Sequence, residues 1–244
     1  MFRRMSRLLV SFVMIMAGAV IGVGATSGTA HADECYTWSR TLSEGSSGGD
    51  VTQLQIRVAG WVTSGERLSY DGQFGARTTA AVRKFQAAYG LTADGVAGPL
   101  TFSKIYALQD ADCTPVHFTY AELNRCNSDW SGGAVSAATA KVNALKTMWK
   151  LEAMRHALGD VSVTVSSGFR SYACNNAVGG SSTSRHLYGD AADLTGSPTL
   201  CRLAQQARTH GFSEILGPGY PGHNDHTHVA LDPSPYWSAP TCGI

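Results

Sequence analysis

Two short stretches hold most of the side chains able to do chemistry. One is Ser184-Arg185-His186-Leu187-Tyr188-Gly189-Asp190-Ala191-Ala192-Asp193, the other His223-Asn224-Asp225-His226-Thr227-His228. They concentrate imidazoles and carboxylates in a chain of which only 15% is charged. A catalytic zinc takes three protein ligands, commonly imidazole or carboxylate, and keeps a fourth position for water. His186, Asp193 and one histidine near position 226 would complete such a set, leaving Asp225 as a carboxylate free to accept a proton. A strand over residues 226–231 would turn His226 and His228 to the same face, so spacing leaves both open as third ligand. Other hydrolytic chemistries lack their residues. No Ser-x-x-Lys occurs, and six cysteines in an exported chain are expected to pair rather than leave a reactive thiol.

The elements that must carry these residues can be read from periodicity. Val142, Leu145, Trp149 and Ala153 fall on one helical stripe, widened by Met148, Leu151 and Met154. Residues 160–165 alternate with period two and predict a half-buried strand, which runs into Ser166-Ser167-Gly168-Phe169-Arg170. A guanidinium at that strand end could grip a carboxylate in bidentate fashion. Gly189 suits a close backbone approach inside the ligand-bearing turn. Leu200, Leu203, Ala204 and Ala207 mark a further helix, residues 212–216 a short strand, and residues 217–222 a Gly/Pro-rich loop that delivers His223 and Asp225. The expected architecture is α+β, with helices packed on a mainly antiparallel sheet.

Before residue 114 the pattern differs. Asp71-Gly72-Gln73-Phe74-Gly75-Ala76-Arg77-Thr78 recurs as Asp94-Gly95-Val96-Ala97-Gly98-Pro99-Leu100-Thr101, each copy a turn that feeds an amphipathic run. With an earlier run through Val51, Leu54 and Val58 this makes a small three-helix unit. The N-terminus reads as an export signal: Arg3, Arg4 and Arg7, an apolar run over residues 8–25, then Ala30-His31-Ala32 as a cleavage site. The expected organisation is a signal peptide at 1–32, a helical domain at 33–113 and a catalytic domain at 114–244. Removing the leader leaves 16 basic against 18 acidic residues. That balance argues against nucleic acid or an anionic membrane surface as partner. No later segment is apolar enough to span a bilayer, and a secreted monomer is expected. Of the fifteen ways to pair six cysteines, we expect Cys35–Cys113 around the helical unit, then Cys126–Cys174 and Cys201–Cys242.

Ser184-x-His186-x-x-Gly189-x-Ala191-x-Asp193 followed by Asp225-x-x-His228 resembles the zinc D-Ala-D-Ala carboxypeptidase family over nearly the whole mature chain. The resemblance implies one zinc ion on His186, Asp193 and His228, with Asp225 as the acidic base. It also implies that Arg170 lies in the active site, and it leaves His223 and Arg170 as candidates to meet a substrate oxyanion or carboxylate. The helical unit resembles peptidoglycan-binding domains through Gly49, Leu54-Gln55, Asp71-Gly72, Phe85-Gln86 and Asp94-Gly95-Val96. Peptidoglycan or its peptide precursors are thus the implied partner. The implied reaction is removal of the terminal D-alanine from stem peptides. Cutting of cross-bridges and a non-catalytic wall-binding role are the alternatives.

Overall fold

The computed structural model describes residues 35–244; the expected signal peptide, residues 1–32, lies outside the described residues. The first part is built from α1 (Gly49–Val58), α2 (Ala76–Ala88) and α3 (Pro99–Ala107). Both copies of the Asp-Gly turn close on a buried glutamine. The Gln55 amide donates to Asp71 Oδ1 at 2.9 Å and to the Gln73 carbonyl at 3.0 Å, and accepts from the Gly72 N–H at 3.0 Å. Gln86 repeats this with Asp94 Oδ1 at 2.8 Å, the Val96 carbonyl at 3.0 Å and the Gly95 N–H at 2.9 Å. A buried amide must find such partners or lose its hydration without return. The repeat therefore encodes a hydrogen-bond unit as well as a turn. Leu54, Val58, Phe74, Val82, Phe85 and Ile105 form the core beneath it.

The second part contains the short helix α4 (Tyr120–Leu123), α5 (Ala137–Ala157), α6 (Tyr172–Ala177) and α7 (Leu200–Thr209). Its strands are β1 (Thr164–Ser167), β2 (Ala191–Thr195), β3 (Glu214–Leu216), β4 (Thr227–Ala230) and β5 (Tyr236–Ser238). They form one sheet in the order β1-β2-β4-β3-β5, antiparallel throughout except for the parallel β3–β5 pair. The three expected disulfides, Cys35–Cys113, Cys126–Cys174 and Cys201–Cys242, are all formed.

Helix α5 departs from the single stripe expected of it. Ala140, Ala144, Met148, Leu151 and Met154 enter the core under the sheet, whereas Trp149 and Ala153 enter the core of the helical unit. Val142, assigned to the buried stripe by periodicity, is 46% exposed. A helix held between two cores is apolar on two faces, so no single stripe describes it. The strand expected over 160–165 starts later, at Thr164, because Asp160 takes a left-handed conformation (φ 61°) just after α5. Its carboxylate is held there by Arg155 at 2.9 Å and His156 at 3.0 Å.

Candidate metal centre

Antiparallel pairing of β2 with β4 sets Asp193 opposite His228, and such cross-strand neighbours share one face of the sheet. His186 arrives from a 3₁₀ turn, Arg185–Tyr188, that ends on Gly189 in the left-handed region (φ 76°). A Cβ at Gly189 would lie 2.5 Å from the Ala140 carbonyl of α5. The close approach expected of this glycine is therefore present, together with a backbone geometry that other residues resist. Gly189→Ala is expected to destabilise the protein by at least about 1 kcal/mol and to loosen His186. Thermal unfolding and zinc content measured together would register both effects.

His186, Asp193 and His228 are all buried, and their donor atoms lie within 4.8 Å of one another. His186 Nε2 is 3.1 Å from Asp193 Oδ1 and 3.1 Å from His228 Nδ1, and His228 Nδ1 is 2.9 Å from the same Oδ1. Tetrahedral bonds of about 2.05 Å to zinc place neighbouring ligands about 3.3 Å apart. Shifts of a few tenths of an ångström would therefore fit these three donors around the ion. His186 Nδ1 donates to the Gly168 carbonyl at 2.5 Å, which leaves Nε2 as the ligand atom. His228 is turned the other way, with Nδ1 facing the set and Nε2 facing Glu214 Oε2 at 3.5 Å. Fixing the tautomer through the far nitrogen is the usual second contact of a metal-bound imidazole. Glu214 escaped the sequence reading. Its one signal is an acid within the otherwise apolar run of β3, and only the register of β3 on β4 brings it to His228.

Without metal the set holds a proton: burial lowers the His228 imidazole, but the Asp193 and Glu214 carboxylates outweigh it and raise it to about 9, so a cation must displace that proton. Burial pushes the Asp193 carboxyl up, but its close contacts with His186 and His228 outweigh it and hold the group well below the usual carboxylate range. Burial likewise lowers the His186 imidazole and keeps it neutral, as a metal ligand must be. Arg170 presses on the opposite side of the carboxylate: its Nη2 donates to Asp193 Oδ2 at 2.6 Å and its Nε to Ser167 Oγ at 3.0 Å. A bidentate grip on an outside carboxylate would need the nitrogen already held by Asp193.

Of the remaining site residues, His226 Nε2 lies 3.7 Å from Asp193 Oδ1 and outside the compact set of three. Its Nδ1 is 2.8 Å from Asp225 Oδ1, and that contact holds the otherwise exposed Asp225 below its usual pKa. His223 sits on the same side, its ring centroid 6.0 Å from that of His228, with Nδ1 3.0 Å from the Pro221 carbonyl. Replacing Glu214 by glutamine is expected to weaken zinc binding by about 10- to 100-fold, while the zinc-saturated protein should keep its unfolding temperature. Competition with a zinc-binding dye would measure the affinity.

The peptidase M15 family matches residues 116–230, and a putative peptidoglycan binding domain matches residues 47–105. The zinc D-Ala-D-Ala carboxypeptidase of Streptomyces albus G is 66% identical over 233 residues, covering 95% of this chain and 91% of that protein. An uncharacterized protein of Kitasatospora aureofaciens is 35% identical over 107 residues, 41% of this chain and 86% of its own length. Among solved structures, a Burkholderia AP3 phage endolysin is 35% identical over 44% of this chain and 36% of its own, with a TM-score of 0.25. A fused Zn-dependent amidase/peptidase with a peptidoglycan-binding domain, from Clostridium acetobutylicum, is 29% identical over 31% and 34%, also at 0.25. Fold and site together define a zinc metallopeptidase joined to a peptidoglycan-binding domain. The chain belongs to the M15 peptidase family, alongside the Streptomyces albus G enzyme.

Proposed function

We propose that this chain is a secreted, monomeric zinc D-alanyl-D-alanine carboxypeptidase that removes the terminal D-alanine from peptidoglycan stem peptides, with His186, Asp193 and His228 as the zinc ligands. The observation that carries this reading is the cluster of those three donors, in a chain 66% identical to a zinc D-Ala-D-Ala carboxypeptidase. Among the described residues no helix is long and apolar enough to cross a membrane. Export then rests on the leader read from the sequence.

Zinc, when bound, supplies a Lewis acid and lowers the pKa of water towards about 7. Asp225 takes the proton from the attacking water and later delivers it to the amine of the departing D-alanine. It is suited to the task because it is ionised at neutral pH and belongs to no buried ion pair. Arg170 holds Asp193 in the orientation that presents Oδ1 to the two imidazoles. Its Nη1, without a partner among the described residues, and His223 remain to meet the charge that develops on the substrate. With Nδ1–H donated to Pro221, a neutral His223 offers only the lone pair of Nε2, so it must gain a proton before it can donate. Burial lowers its pKa, which gives Arg170 the advantage as donor near neutral pH.

The deciding experiment incubates the protein with a soluble pentapeptide precursor and, separately, with cross-linked wall. Free D-alanine from the pentapeptide, abolished by a chelator, restored by zinc and insensitive to a β-lactam, is the expected result. Release of cross-bridge fragments without free D-alanine would make the protein an endopeptidase instead. Full activity in a protein shown to be metal-free would end the zinc reading.

A further inference from the structure

A polar cavity that none of His186, Asp193 and His228 lines lies where the helical unit meets the catalytic part. It encloses about 280 Å³. Arg67, Tyr70 and Arg77 line it from the first part, and Lys150, Gly211 and Ser213 from the second. No carboxylate is among its lining residues.

Lys150 is 2% exposed on α5, in a position that hydrophobic packing would fill with an apolar side chain. Its ammonium donates to the Gly211 carbonyl at 2.8 Å and the Ala59 carbonyl at 3.3 Å. An ammonium has three protons, and the third has no acceptor among the described residues. Nor does any carboxylate reach it, since none of the described ion pairs involves Lys150. Burial, with Arg67 adding to it, pushes this lysine down to about 7. At that pKa the amine carries its charge only in part near neutral pH, and a bound anion would draw it to the ammonium form with its third proton.

Two further features point the same way. The Tyr70 hydroxyl is buried and has no hydrogen-bond partner, an arrangement that native structures rarely leave unexplained. Arg67 is aimed by two backbone carbonyls, those of Asp232 at 2.9 Å and Pro233 at 3.1 Å, and so keeps its positive charge unneutralised. The nearby acids Asp190 and Asp232 are turned to Arg185. The cavity therefore offers the exposed guanidinium groups of Arg67 and Arg77, a lysine that an anion would hold protonated, and one hydroxyl donor.

We propose that this seam is a binding site for an oxyanion, a phosphate or carboxylate group of the wall polymer, gripped by Lys150, Arg67, Arg77 and the Tyr70 hydroxyl. Such a ligand would touch both parts of the chain at once and lock the wall-binding unit to the peptidase. The two sources of that chemistry are phosphodiesters of anionic wall polymers and carboxylates of the stem peptides.

Inorganic phosphate is the first probe, added to the zinc-loaded whole chain against chloride at equal ionic strength. Phosphate should raise the unfolding temperature. The apparent Kd from that shift should weaken roughly 10-fold in Arg77→Ala and in Tyr70→Phe, the scale expected for losing one charge-assisted or otherwise unpaired hydrogen bond. Both residues lie outside the metal centre, so hydrolysis of a soluble pentapeptide should be unchanged, which separates this test from that of the carboxypeptidase reading. Lys150→Met should abolish the phosphate response if it folds; the other two variants do not depend on its folding. An unaltered phosphate shift in Arg77→Ala and Tyr70→Phe would place the anion outside this cavity and overturn the proposal.

Retention on purified wall then identifies the source. A loss in Arg77→Ala confined to wall that retains its phosphate polymers assigns the site to phosphodiesters. An equal loss on wall stripped of them assigns it to peptide carboxylates. Unchanged retention on both would remove the wall as the ligand and sink the proposal.

Discussion

Asparagine in place of Asp225 is expected to leave a folded, zinc-loaded protein whose turnover has fallen by about 100-fold or more, the usual scale for losing a general base. The Asp225 side chain is 87% exposed and its contact with His226 is a surface one, so the substitution opens no cavity and strands no buried charge. Asparagine keeps the size and the hydrogen bond but accepts no proton near neutral pH. The native carboxyl is held below its ordinary pKa by the His226 contact. It therefore stays ionised through the neutral range, and any acid limb it causes should lie below the normal aspartate value of about 4. Turnover numbers for the two proteins, normalised to bound zinc, test this. A variant within a few-fold of the native rate would remove Asp225 from the mechanism.

The second large effect separates His228 from His226. His228→Ala should lose both metal and activity, because two remaining ligands make a poor zinc site. It also strips the buried Asp193 of a partner, and an uncompensated buried carboxylate is costly. His226→Ala should keep its zinc, since that imidazole stands outside the compact set and is partly exposed. Metal content by mass spectrometry on both variants is the measurement. Zinc lost from His226→Ala and kept by His228→Ala would reverse the ligand assignment without touching the enzyme class.

Much of the site was legible because its residues are unusual for their setting. His186, Asp193 and the histidine-rich stretch stand out in a chain poor in charge, and their types made zinc one candidate that the family resemblance then selected. The paired Asp-Gly turns announced the helical unit, since a turn with φ above zero leaves a mark that composition reveals. Strand alternation even foresaw that His226 and His228 would lie on one side. It could not rank them, because a period of two is blind to which neighbour sits across the ladder.

The family resemblance ranked them, and the register of β2 on β4, which puts Asp193 directly against His228, agrees with its choice. The pairing of β3 with β4 brought Glu214 to the back of His228, and the pairing of β1 with β2 led Arg170 to the second oxygen of Asp193. Neither contact has a local signature, because each joins residues distant in sequence through main-chain pairing. Helix α5 shows the other limit. A stripe can be read from one sequence only when a helix has one buried face, and α5 has two, so Val142 was placed inside and Lys150 drew no notice. Sequence by itself determined the ligand types, the turns and the cysteine framework, since these are local chemistry. Tertiary structure decided the compact grouping of His186, Asp193 and His228, the placement of Glu214 beside it and the basic seam, since these depend on which distant surfaces are pressed together.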